Sequence, residues 1–148
     1  MRVDRSEIRD GLAATWPFLL SHHLPSEWYR CYSPHVFGRQ VHICARCLGV
    51  YPGIAVGLAT YFVAFPSTAS VVLTAVLPLP ALVDWTLTTF TDRRGYNVVR
   101  TVTGGLLGFA YGIGLLAVLL EFDLRIIVVG IAYAIIASVL IYFDQNGK

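Results

Sequence analysis

Nineteen consecutive residues, Leu48–Pro66, carry no charge, and at about 1.5 Å per residue a helix of that length covers the roughly 30 Å of a bilayer's hydrocarbon core. This first span makes the lipid bilayer the solvent to reason with. Ser70–Phe90 is as apolar except for Asp84, and its Pro78 and Pro80 remove helix donors, which predicts a bend. A third span is expected over Val98–Leu120. After the short acidic turn Glu121–Asp123, a fourth follows over Leu124–Phe143, with Arg125 at its mouth. The expected fold is an all-α membrane protein: a four-helix transmembrane unit over 48–148 behind a Cys/His-containing segment over 1–47. Short connections make successive helices antiparallel neighbours.

Composition agrees with this reading and narrows it. At 56% hydrophobic and 14% charged residues, with a mean hydropathy of +0.65, the 148-residue chain is too apolar for a soluble domain. A net charge of +2, with basic and acidic residues intermixed, excludes nucleic acid as the expected partner and leaves membrane lipid. Orientation follows from the eleven basic residues: with a cytoplasmic N-terminus, only Arg125 falls on the outer side. Basic residues resist translocation, so a multi-pass protein of the cell membrane is expected with both termini cytoplasmic. Asp4, Glu7 and Asp10 precede the apolar Leu12–Leu20 stretch, and Pro17 interrupts it. The start of the chain is therefore expected to stay on the mature protein.

Before the first span, Ile8, Leu12, Trp16 and Leu19 recur at helical spacing. They predict an amphipathic helix over Asp4–Leu20, lying on the inner leaflet or packed on the bundle. Two spans carry glycine steps of four, Gly49, Gly53, Gly57 and Gly104, Gly108, Gly112. Each set lies along one helix face, where backbones can approach closely, within one chain or between copies in a homo-oligomer.

All three cysteines and all four histidines fall within Ser21–Cys47. Cys44-Ala45-Arg46-Cys47 places two thiolates close enough for one tetrahedral ion, zinc or another thiophilic metal. Cys31 and His22 are the expected completion, with His42 the alternative to His22 and with His23 and His35 also in range. A dithiol redox pair, a disulfide and inert packing stand as alternatives, the disulfide disfavoured in cytoplasm.

Asp84 lies six residues, about 9 Å, from the inner end of its span. An unpaired carboxylate there costs several kcal/mol (order of magnitude), which marks it as a functional residue. Arg100 is its expected partner. Arg46, Arg93 and Arg94 approach from the same side, and Asn97 is placed to cap the third span and to donate hydrogen bonds. Asp84 is thus the candidate catalytic acid or base, and Arg46, Arg93, Asn97 and Arg100 the candidate anion-binding set. A purely structural Asp84–Arg100 pair is the competing explanation.

The segments HICARCLGVYPG, PLPALVDW and GYNVVRTVTGGLLG together resemble the DUF2085 family of small predicted membrane proteins, from about Ser21 to Gly114. Cys44, Arg46, Cys47, Gly49 and Tyr51 match one element of its pattern, Asp84 a second, and Asn97, Arg100 and Gly104 a third. Where the family pattern has Cys-His, this chain has Ser21-His22. The resemblance implies a membrane location and singles out these residues, and it implies no activity.

Three classes of function compete. An enzyme on an anionic lipid would use the arginines as clamp and Asp84 as acid or base, and its mark would be an inner-face polar pocket open to lipid. A transporter or channel component would use Asp84 as an ion site between bent helices. A metal-stabilised membrane scaffold would need a partner.

Overall fold

A computed structural model describes residues 7–11, 15, 21–36, 38–64 and 67–146. Of the expected N-terminal helix, residues 7–11 and Thr15 are helical, and the rest lies outside the described residues, as do positions 65–66 of the first expected span. A 3-10 helix, Pro25–Arg30, leads into four two-residue strands: β1 (Cys31–Tyr32), β2 (His35–Val36), β3 (Arg39–Gln40) and β4 (Ile43–Cys44). The β2–β3 hairpin, His35 opposite Gln40, turns at Gly38, whose φ of 74° suits glycine. It returns the chain so that β4 pairs antiparallel with β1, Cys31 opposite Cys44.

The helices are α1 (Ala45–Ala64), α2 (Ser67–Val76), α3 (Leu79–Phe90), α4 (Asn97–Glu121) and α5 (Leu124–Asn146). They form four segments long and apolar enough to cross a membrane: Ala45–Val63, Ala69–Phe90, Asn97–Glu121 and Leu124–Asn146. The first begins three residues earlier than the uncharged run, because Ala45 and Arg46 add a helical turn at its start. As a result Arg46 and Cys47 sit in the first turn of a helix rather than before it. The second span is broken as its prolines require. Leu77 N still donates to Leu73 O at 3.0 Å, and Ala81 N and Leu82 N reach back to Pro78 O at 3.1 Å. The chain bends at 77–78 and resumes as helix.

α4 is the central helix, burying Arg100, Thr103, Ile113, Ala117 and four glycines. α5 exposes apolar side chains on several faces, among them Val128, Ile131, Ile135 and Val139. A helix so apolar all round belongs in lipid. α1 and α4 run parallel in the closest packing of the molecule. A Cβ at Gly49, Gly53 or Gly57 would strike the carbonyl oxygens of Thr101, Gly105 and Phe109 in turn. A Cβ at Gly104, Gly108 or Gly112 would strike those of Arg46, Val50 and Ile54. Both ladders advance by four residues, so each helix reads the other turn by turn, and the contact is made by dispersion between backbones. Both glycine faces are therefore packed against each other within one chain.

At the far end, α4 closes on Phe122, whose left-handed φ of 53° lets Asp123 N reach Ala117 O at 3.3 Å. Asp123 then caps α5, accepting from Arg125 N at 3.1 Å and from its guanidinium at 2.9 and 2.7 Å. Tyr61 OH donates to Glu121 at 2.7 Å, tying α1 to α4 there. The opposite end, where α1 and α4 begin and α3 stops, gathers the remaining polar residues of interest.

Candidate functional site

The strand pair β1–β4 delivers Cys44 to the N-terminus of α1, and Cys47 follows in its first turn. The segment ahead of the 3-10 helix folds across this end. His23 Nε2 lies 3.4 Å from Cys44 Sγ and His22 Nδ1 lies 3.7 Å from Cys47 Sγ. The two rings are neighbours, 4.3 Å between centroids, and one ligand atom each of His22, His23 and Cys44 lies within 4.8 Å of the others. Zinc bond lengths of about 2.3 Å to sulfur and 2.0–2.1 Å to nitrogen imply an S···N separation of about 3.5 Å in a tetrahedral site. The two observed separations bracket that value, so this cluster can hold a metal ion.

Of the expected ligands, His22 and Cys44 lie in this cluster together with His23, and Cys47 approaches it through His22. Cys31 sits behind Cys44 across the strand pair, buried, with its thiol 3.2 Å from Ser21 Oγ. Burial pushes the Cys31 thiol up from its ordinary value, and the Ser21 hydrogen bond opposes this in part. Ser21 is thus in contact with Cys31 behind the cluster. His42 points elsewhere: its Nδ1 is 2.7 Å from Ser33 Oγ and its ring stacks on Trp28 at 3.7 Å. Burial pushes the His23 ring below the usual histidine range, offset in part by its hydrogen bond to Glu27. That shift favours the neutral ring, the form that binds metal.

Arg46, between the two cysteines, forms an ion pair with Asp84, whose side chain is 9% exposed. The expected Asp84–Arg100 pair is not formed. α3 brings Asp84 to the start of α1, whereas Arg100 bends back over its own N-terminus. Its Nη1 donates to Asn97 Oδ1 at 3.0 Å and its Nη2 to the carbonyl of Arg94. Gly95, with φ of 68°, makes room for that guanidinium. Asn97 does not cap α4 with its side chain. It donates from Nδ2 to Cys31 O at 3.2 Å, and Thr101 Oγ1 donates to Ala45 O at 2.9 Å while contacting Tyr32 OH at 3.2 Å. These bonds fasten the Cys/His segment to the first turns of α4.

Three guanidinium carbons, of Arg30, Arg94 and Arg100, stand 5.4 to 5.8 Å from the centre of the Tyr29 ring, within cation–π range. A cavity of about 340 Å³ opens between Arg30, Arg100 and the cysteines, walled also by His22, His23, Arg46 and Trp85. Beside it, a second cavity of about 530 Å³ is lined by Asp84, Arg93, Arg94 and Tyr96. Of the expected anion-binding residues, Arg46 and Arg100 thus face the first cavity, Arg93 faces the second, and Asn97 serves the frame. Arg30 and Tyr29 complete the arrangement without having been singled out, and His23, one of the four histidines in range, joins them. Proximity of Arg30 to Cys31 in sequence was the one signal that pointed to it.

The family model described as "Predicted membrane protein (DUF2085)" matches residues 30–116. The chain belongs to that family. Within it, Cys44, Arg46, Cys47, Asp84, Asn97 and Arg100 all meet at the one polar end just described. An uncharacterized protein of Methanocaldococcus jannaschii is 27% identical over 110 residues, 70% of this chain and 65% of the relative. The chain therefore spans slightly less than two thirds of that relative's length. No solved structure matches the chain.

Proposed function

We propose that this DUF2085 member is a metal-stabilised membrane receptor site for an anionic headgroup, facing the cytoplasm. The observation that carries it is the pair of S···N separations, 3.4 and 3.7 Å, next to an arginine-lined cavity. Cys44, Cys47, His22 and His23 would give a closed Cys2His2 set, which is the pattern of structural zinc and leaves no open position for a reacting ligand. Two thiolates and two neutral imidazoles cancel the charge of a divalent ion. Glu27 offsets Arg30 in part, at 3.6 Å, and the positive charge of Arg100 in the same cavity then remains available for an anion such as a phosphate monoester or diester.

Binding is better supported than catalysis. Asp84, the candidate acid or base, is committed to Arg46, and we assign it the role of positioning that arginine. Arg93 and Arg94 enlarge the positive field at the mouth of the site, and Asn97 fixes Arg100. A transport role has less support, since among the described residues of the spans no other carboxylate lies between Asp84 and Glu121 along the bundle. The cytoplasmic orientation is supported by the count of basic residues in the sequence, of which only Arg125 would fall outside if the N-terminus is cytoplasmic.

The test is calorimetric titration of purified protein with glycerol 3-phosphate, before and after metal removal by a chelator. Binding with one site per chain, abolished by chelation and by Cys44→Ser, is expected. Unchanged binding after chelation would separate the anion site from the metal, and an absence of binding throughout would remove the receptor reading.

A further inference from the structure

A groove of about 350 Å³ runs between α3, α4 and α5, walled by Leu82, Ala110, Tyr133 and Ala137 among others. Two of its residues, Arg46 and Trp85, also wall the arginine and Cys/His cavity. The apolar groove and the polar cavity are therefore joined through one arginine and one indole. Arg46 Nε is buried there without a hydrogen-bond partner, and a buried donor left unpaired is a place where a ligand oxygen belongs. From Trp85 to Thr74, both of which line the groove, is eleven positions along α3 and α2. That is about 16 Å at 1.5 Å per residue, close to half of a hydrocarbon core of roughly 30 Å.

We propose that this groove holds one acyl chain of an anionic phospholipid whose phosphate occupies the arginine cavity. The inference rests on the anion-site reading above and adds the tail to it. A ligand that fits both compartments must have a long apolar end and a negatively charged end, joined at the level of Arg46. A neutral lipid would leave Arg100 without an ion-pair partner among the described residues and Arg30 with only Glu27 at 3.6 Å, and a free phosphate would leave the groove empty. Gly130 lines the groove and offers a point of intervention: a Cβ there meets nothing within 4 Å, so a larger side chain adds bulk at the groove wall without overpacking the helices.

The experiment uses full-length protein stripped of lipid by detergent washing, then exposed to vesicles of dioleoyl phosphatidylcholine and dioleoyl phosphatidylglycerol in equal amounts. Native mass spectrometry reads the lipid retained per chain. One phosphatidylglycerol per chain is expected, preferred over phosphatidylcholine by about tenfold, a difference of about 1.4 kcal/mol. Gly130→Leu should lower retention about tenfold while its binding of glycerol 3-phosphate stays as in the parent, and Ala137→Phe should repeat that result from a second position. Arg30→Gln should erase the headgroup preference. Equal retention of both lipids, or retention untouched by both groove-filling variants, would overturn the proposal. Glycerol 3-phosphate binding without any retained lipid would also overturn it while leaving the anion site standing. Loss of both would remove the two together. A parent that is dimeric while Gly130→Leu is monomeric would give the groove to a second copy and refute the acyl chain.

Discussion

Exchanging the partner of Asp84 from Arg100 to Arg46 has a consequence that a double-mutant cycle can measure. Asp84→Asn and Arg46→Gln each keep shape and remove a charge. Breaking a buried ion pair from one side costs on the order of 3–5 kcal/mol. Asp84 is 9% exposed and Arg46 26%, so water reaches the arginine left behind by Asp84→Asn more easily than the carboxylate left behind by Arg46→Gln. We therefore expect about 3 kcal/mol for Asp84→Asn and a somewhat larger loss for Arg46→Gln. The double mutant should recover about 2 kcal/mol of the sum, within the range found for directly paired residues. In the parallel cycle, Asp84→Asn with Arg100→Gln should couple by well under half of that, because Arg100 spends its donors on Asn97 and Arg94. Reversible unfolding in mixed micelles, titrated with a denaturing detergent, gives all four free energies. A coupling for Asp84 with Arg100 equal to or above that with Arg46 would refute the assignment.

The α1–α4 interlock predicts that Gly108→Ala destabilises by about 1–3 kcal/mol through overpacking against Val50. Gly130→Ala, facing open space, should gain up to about 1 kcal/mol from helix propensity. Equal effects of the two, read in the same unfolding titration, would deny the backbone contact. For orientation, impermeant thiol labelling of cysteines placed singly at Asp92 and Phe122 should reach Phe122→Cys from outside and Asp92→Cys only after lysis. The opposite pattern would invert the topology. Asn97→Ala should loosen the Cys/His segment, seen as faster amide exchange at Cys31 and Tyr32 with the α4 amides beyond Thr103 unchanged. Uniform acceleration along α4 would make Asn97 a helix residue and not a tie.

Much of the fold was legible because the bilayer imposes a length and a composition on each span. The uncharged run from Leu48 and the acidic turn at Glu121–Asp123 located α1, α4 and α5 to within three residues, and Pro78 marked the bend. The glycine steps announced a close contact, but one sequence carries no register. Only the geometry pairs Gly49 with Thr101 and Gly104 with Arg46. The polar residues were found by type, and their partners were not. Asp84 was matched to Arg100 by depth alone, and depth says nothing of rotation about the helix axis, which turns Asp84 toward Arg46. His23 was passed over for His22 and Cys31 because spacing cannot distinguish adjacent histidines. Ligand choice depends on how β1 and β4 pair, and two-residue strands leave almost no periodic signal to read.

The most direct test of a metal-holding polar end is metal analysis of protein purified without added metal, joined to X-ray absorption at the zinc edge. One zinc per chain is predicted, with two sulfurs near 2.3 Å and two nitrogens near 2.0–2.1 Å. His23→Ala and Cys47→Ser should each lose it, whereas Cys31→Ser should keep it. Protein free of metal, or zinc held through three sulfurs and lost with Cys31→Ser, would contradict the Cys44, Cys47, His22, His23 centre.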